Sequence, residues 1–190
     1  MAYEILNPPF ALNFREMSKS QLKAYFAWYQ EKIPGRIDVL QQLVRESGRY
    51  PQWTADKSPA SIAQLGEWFA GEIESVPNTP NGRSRFSANR PSFQIATDGE
   101  LAPKTLSIAV DIGIYLSQVL MSEIRSLRWA QNLTAKFDID YGQPVLVEFR
   151  AAPFNPSRML ITLAYGILQG SRTKGDLEKL YHFWAKQAVV

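Results

Sequence analysis

Residues 103–125, PKTLSIAVDIGIYLSQVLMSEIR, organise the chain because they form its longest mainly apolar stretch. Helical spacing puts Leu106 and Val110 on one side of this stretch and Ile108 on another. A helix that is apolar nearly all round is surrounded by protein. We therefore predict a buried central helix here, with the other elements packed around it.

Further helices are predicted on both sides of this stretch. Ser18 followed by Gln21 has the spacing of a capping box, which starts a helix. Proline inside a helical pattern removes a backbone hydrogen bond, so Pro34 predicts a break between two helices, which would form a bent unit or a hairpin. A polar capping residue followed by proline, as at Asn155 and Pro156, predicts another helix start. The predicted helices cover residues 18–33, 37–48, 59–76, 156–170 and 174–188.

Short segments with β-prone residues follow the central helix, and they predict an antiparallel three-stranded meander. In its middle segment, two aspartates alternate with two apolar residues. Asp138 and Asp140 are therefore predicted to face solvent. Phe137 and Ile139, on the opposite face, are predicted to be buried. The predicted strands cover residues 127–131, 135–139 and 144–149, and a further short strand covers residues 11–16.

The predicted fold class is α+β, a mainly helical single domain with the meander packed on the central helix. Residues 1–76 would form a helical part, residues 77–97 a basic loop, and residues 98–190 a helix–meander–helix part. Both flanking parts have wide apolar stripes and neither is large. One domain spanning residues 1–190 is therefore favoured.

The composition excludes several kinds of chemistry. The 190 residues include no cysteine and one histidine, His182, which rules out disulfides and thiolate nucleophiles. No nucleotide-binding or nucleophile motif is visible, so we predict no catalytic residue, metal or cofactor and favour a non-enzymatic protein. The absence of an export signal and of a long uninterrupted apolar run predicts a cytoplasmic protein without membrane contact.

Residues 77–97 hold the surplus positive charge of the chain. The net charge is +3, and this segment contains three arginines and no acidic residue. Its prolines, asparagines and serines predict a long loop. Arginine mixed with aromatic residues also suits single-stranded RNA, although three charges make nucleic acid a less favoured partner than protein. The candidate partner-binding residues are Arg83, Arg85, Phe86 and Arg90.

A carboxylate in the middle of the central helix, Asp111, is the least expected residue of the chain. Burial raises the pKa of a carboxyl group unless a cation or several donors meet it. One interpretation is a buried salt bridge to an arginine of the following elements, namely Arg128, Arg150 or Arg158. The alternative is a small-molecule or enzyme pocket beside the helix. Its ligand-binding residues would be Asp111, Tyr115, Arg128 and Arg158.

Five phrases of the chain stand out together. They are FREMSKSQLKAYFAWYQEKIPGRI (residues 14–37), SPASIAQLGEWF (58–69), DIGIYL (111–116), YGQPVL (141–146) and NPSRMLITLAYGIL (155–168). Together they resemble a family of small bacterial intracellular proteins that has no established activity. The resemblance covers nearly the whole chain and implies a bacterial intracellular protein, without implying site residues.

The function predicted from the sequence is a non-enzymatic bacterial binding or regulatory module. Its partner would be a protein, bound through residues 77–97. A ligand pocket around Asp111 is the first alternative, and weak binding of single-stranded RNA is the second. The sequence leaves the oligomeric state and the identity of the partner open.

Overall fold

The computed structural model describes residues 3–77 and 99–189. In this part of the chain, helices are accompanied by two pairs of antiparallel strands, so the predicted mixture of helix and sheet is confirmed. The elements in chain order are α1 (Lys19–Glu46), α2 (Ala60–Ala70), β1 (Ser75–Pro77), β2 (Gly99–Leu101), α3 (Pro103–Glu123), β3 (Arg128–Gln131), β4 (Pro144–Val147), α4 (Pro156–Leu168) and α5 (Asp176–Gln187).

Helix α3 lies at the centre of the fold, as its apolar surface predicts. Every residue from 105 to 117 is buried, and α4, α1 and α5 pack against the helix. By length and composition α3 could also cross a membrane. The surrounding elements nevertheless bury 83% of its apolar 18-residue window, as they do for the core helix of a soluble protein.

Helix α1 continues through Pro34 as a single helix of 28 residues, so the predicted break into two helices is wrong. A proline in a helix interior costs about 3 kcal/mol because it removes a hydrogen bond and crowds the preceding turn. The apolar stripe of α1 continues on both sides of the proline, with Ile33 and Ile37 buried on its two flanks. Burial of this stripe along both halves outweighs the local cost.

Cap signals in the sequence position several helix ends. The Ser18 side chain accepts a hydrogen bond from the Gln21 N–H, and the Gln21 side chain accepts one from the Ser18 N–H, which completes the predicted capping box. The Asn155 side chain accepts a backbone N–H of the first turn of α4, as predicted. Helix α2 ends at Ala70, earlier than predicted, because the chain then turns and enters β1.

The predicted three-stranded meander is not confirmed, because β3 and β4 form a sheet of two strands. Residues 135–139 form turns instead of the predicted middle strand. The side chains of Asn132 and Asp138 accept hydrogen bonds from backbone N–H groups two or three residues further along. Such local bonds compete with strand pairing. The strand predicted at residues 11–16 is likewise replaced by a turn.

The strands β1 and β2 bring together the two ends of residues 78–98, which lie outside the described part of the chain. In their antiparallel register, Ser75 lies opposite Leu101 and Pro77 lies opposite Gly99. Residues 78–98 therefore start and end side by side, immediately before α3.

Helices α3 and α4 approach each other closely at Gly113. A Cβ atom at this position would lie 2.9 Å from the backbone carbonyl carbon and oxygen of Pro156. Replacing Gly113 by alanine is therefore expected to destabilise the protein by about 1–3 kcal/mol, since packed backbone must shift. The measurement is the free energy of unfolding in urea.

Gly35 in α1 supplies the matched control. Nothing lies within 4 Å of its Cβ position. Gly35→Ala is therefore expected to stabilise the protein by about 0.5–1 kcal/mol through helix propensity. If alanine at Gly35 and alanine at Gly113 changed the free energy of unfolding in the same direction, the close approach of α3 and α4 would be contradicted.

Candidate functional site

The buried carboxylate of Asp111 is enclosed by two partners from distant parts of the chain. Asp111 lies in the middle of α3 and is fully buried. Arg36 of α1 donates Nε–H to Oδ1 at 2.7 Å and Nη2–H to Oδ2 at 2.6 Å. The Tyr3 hydroxyl donates to Oδ2 at 2.5 Å. The bidentate pairing of Arg36 with Asp111 is the strong form of a charge-assisted hydrogen bond.

The N-terminal segment at residues 3–9, which we name the strap, covers this ion pair. Arg36 donates Nη1–H to the backbone carbonyl of Glu4 at 2.8 Å. The backbone N–H of Leu6 donates to the Ser107 hydroxyl at 2.7 Å. These contacts, together with the Tyr3 hydroxyl, fasten the strap to both α1 and α3.

Burial and mutual contact shift the acidity of the groups beneath the strap. Burial, the largest influence, raises the pKa of Asp111 above its ordinary value, and the hydrogen bonds and charge of Arg36 oppose that rise. Burial and the neighbouring carboxylate raise the pKa of the Tyr3 phenol far above its ordinary value, so this hydroxyl remains a donor. The hydrogen bonds of this cluster join α1 and α3 to the strap.

The arginine that meets Asp111 differs from the predicted partners. The packing of α1 against α3 brings Arg36 to the carboxylate across 75 positions of sequence. Arg36 lies within the buried stripe of α1, and this unusual position for a cation is the signal that sequence analysis missed. The predicted partners were Arg128, Arg150 and Arg158.

The other predicted ligand-binding residues have partners of their own. Tyr115 shares a hydrogen bond of 2.7 Å with the Ser61 hydroxyl. Arg158 pairs with both carboxylate oxygens of Asp140. Arg128 forms an exposed salt bridge with Glu148 at 3.1 Å. Among the described residues, the side-chain hydrogen bonds of Tyr115, Arg128 and Arg158 thus go to groups other than the Asp111 carboxylate.

A second feature is the loop between β3 and β4 at residues 132–142, which we name the tip loop. The Asn132 carboxamide oxygen accepts two backbone N–H groups of the following turn, at 3.1 Å each. Asp138 accepts the backbone N–H of Asp140 at 2.8 Å. The loop closes where the Gly142 N–H donates to the Asn132 carbonyl at 2.8 Å. Local hydrogen bonds thus fix its course.

A buried polar network fastens the base of the tip loop to α4. Asp140 is 8% exposed and accepts Nε–H and Nη2–H of Arg158 at 2.7 and 2.8 Å. The Asn155 carboxamide donates to Asp140 and to the side-chain oxygen of Gln143, each at 2.8 Å. Since Asn155 also caps α4, one buried side chain links the helix start to the loop.

The tip loop exposes two large apolar side chains. Phe137 is 93% exposed and Ile139 is 57% exposed, whereas both were predicted to be buried. Asp140 was predicted to face solvent and is buried. The prediction was wrong because it took the alternation of apolar and acidic residues as the pattern of a strand. The signal that could have corrected it is the pair Asn132 and Asp138, because such residues bond to nearby backbone and favour turns.

A groove with a volume of about 500 Å³ lies between the strap and α1, and we name it the strap groove. Ile5, Trp28 and Val39 contribute apolar lining, and Glu4 and Lys32 carry charges beside it. The volume is in the range of about 300–1,000 Å³ that is common for binding sites. The groove is therefore large enough to receive a side chain of a partner.

The four predicted partner-binding residues, Arg83, Arg85, Phe86 and Arg90, lie outside the described residues. The same holds for the predicted basic loop at 77–97, apart from Pro77. The strand pairing of Pro77 with Gly99 fixes where this segment leaves and rejoins the fold.

Comparison with known proteins assigns no family, because no protein-family model, curated protein or solved structure matches the chain. The resemblance to a bacterial family remains a prediction. Within residues 3–77 and 99–189, no group of three or more histidine, aspartate or glutamate side chains could hold a metal ion.

Proposed function

We propose that this protein is a non-enzymatic bacterial binding module that recognises another protein through the tip loop and residues 77–97. The observation that carries the proposal is the nearly full exposure of Phe137 on a loop fixed by local hydrogen bonds and by the Asp140 network. A side chain held in an ordered loop loses little conformational freedom on binding. Large anchoring side chains dominate the energy of protein interfaces.

The charge of residues 77–97 supports their role as a second contact surface. This segment has three arginines and no acidic residue. An acidic surface on the partner is its electrostatic complement, and such complementarity speeds association and aids specificity. The pairing of β1 with β2 joins both ends of the segment to one place on the fold.

The alternative of a ligand pocket around Asp111 has less support. The two carboxylate oxygens of Asp111 accept three hydrogen bonds from Arg36 and Tyr3. The side chain is also fully buried. A ligand that used this carboxylate would first have to displace the strap.

Phe137→Ser is expected to reduce recovery of a partner protein by at least about tenfold, because loss of a central anchor typically costs 2 kcal/mol or more. The measurement is cross-linking and quantitative capture of proteins other than this chain from cells that express it. Phe183→Ser is the matched control, since Phe183 is 55% exposed on α5, outside the tip loop. This control is expected to leave recovery unchanged.

Two results would contradict the proposal. Equal recovery by the wild type and Phe137→Ser would exclude the tip loop as a contact surface. Equal recovery after residues 77–97 are shortened to a tight turn would exclude the basic segment.

A further inference from the structure

The chain carries both an exposed apolar tip and a groove that could receive it. Phe137 is 93% exposed, so it fills no groove of its own molecule. The strap groove is lined by Trp28 and by Ile5, which is 44% exposed. Apolar surface in both places is removed from water if the tip of one copy enters the groove of another.

The tip loop and the strap groove lie beside different positions along α1. The side chain of Gln131, next to the tip loop, donates to the Leu22 carbonyl near the start of α1. The groove-lining residues of α1 run from Trp28 to Val39, which lie 6 to 17 positions further along the helix, or about 9 to 26 Å at 1.5 Å per residue. Because the Phe137 side chain is 93% exposed in its own molecule, a contact between tip and groove is a contact between molecules.

The charges beside the tip and the groove are complementary. Lys136 and Asp138 flank Phe137 on the tip, and Glu4 and Lys32 line the groove. All four charged residues are exposed. Arg15 also lies beside the tip, where it donates to the Phe137 carbonyl, and Arg36 also lines the groove. Each side thus carries charges of both signs around an apolar centre, so opposite charges can meet around the seated ring.

We propose that the strap groove binds the Phe137 tip of a second copy of this chain. The inference rests on the proposed function only in using the tip loop as a binding surface, and it names one partner for that surface. The area covered by a single tip is small for a protein interface, so the association is weak. A dissociation constant of about 10 µM to 1 mM is expected for such a contact.

Two variants separate the tip from the groove. Phe137→Ser removes the ring at an exposed position. Gly35→Leu fills the groove at a position where a Cβ atom meets nothing within 4 Å, so both variants are expected to fold. In sedimentation equilibrium from about 10 µM to about 1 mM, the wild type is expected to rise above the monomer mass. Each variant alone is expected to stay at the monomer mass.

Mixing the two variants tests the contact directly. Phe137→Ser keeps an intact groove and Gly35→Leu keeps an intact tip, so an equimolar mixture is expected to associate again. The fluorescence of Trp28, which lines the groove, should change on mixing. The change should be lost when Phe137→Ser also carries Trp28→Phe.

Three results would overturn the inference. The first is a wild type that stays monomeric at about 1 mM, the upper end of the expected range of dissociation constants. The others are single variants that associate like the wild type, and a mixture that stays monomeric. None of them bears on the capture of a different protein by Phe137. Failure of this inference and failure of the proposed function are therefore distinguishable.

Discussion

Asp111→Ala is expected to lower the free energy of unfolding by about 3–5 kcal/mol, because it leaves the Arg36 guanidinium buried without its counter-charge. Arg36 is 5% exposed, so water cannot replace the lost carboxylate without local opening. The Tyr3 hydroxyl also loses its hydrogen bond to the carboxylate in the same variant. Urea denaturation followed by tryptophan fluorescence measures the change.

The double variant Arg36→Met with Asp111→Leu is the matched control. It removes both charges and fills the space with apolar side chains, which is often neutral or stabilising for a buried ion pair. The double variant is therefore expected to be more stable than Asp111→Ala. A loss below about 1 kcal/mol in Asp111→Ala would contradict the enclosed ion pair, because breaking such a pair is normally far more costly.

Asn155→Ala is expected to lower the free energy of unfolding by about 2–4 kcal/mol. The variant removes the N-cap of α4 and both hydrogen bonds from the carboxamide to Asp140 and Gln143. Because these bonds fasten the base of the tip loop, faster amide hydrogen exchange is also expected around residue 140.

Asn155→Ser separates the two roles of this side chain. Serine keeps an N-cap acceptor for α4 but is too short to replace both carboxamide contacts. It is expected to recover about 1 kcal/mol relative to alanine and to leave hydrogen exchange in the tip loop fast. Slow exchange in the alanine variant would show that Asp140 and Arg158 hold the loop without Asn155.

The parts of the fold that could be predicted from the sequence depend on local patterns. The apolar surface of α3 identifies the central helix, because no solvent-facing stripe interrupts it. Ser18 and Asn155 mark helix starts, since a cap involves only the adjacent turn. These signals need no knowledge of which elements pack together.

The parts that could not be predicted depend on tertiary packing. The continuity of α1 through Pro34 is decided by burial of the helix on both sides of the proline. The partner of Asp111 comes from a helix 75 positions away, and no local pattern encodes that pairing. Phe137 is exposed because turn-forming hydrogen bonds of its neighbours prevail over the strand alternation.

The pairing of β1 with β2 makes the connection between these two strands a suitable site for inserting a peptide. Partnered Cα atoms of antiparallel strands lie about 4.5–5.5 Å apart, so a chain of almost any length can bridge Pro77 and Gly99. The entropic cost of such a bridge grows only slowly with its length. Peptides that recognise other targets could therefore be inserted here while α3 and its surroundings keep their structure.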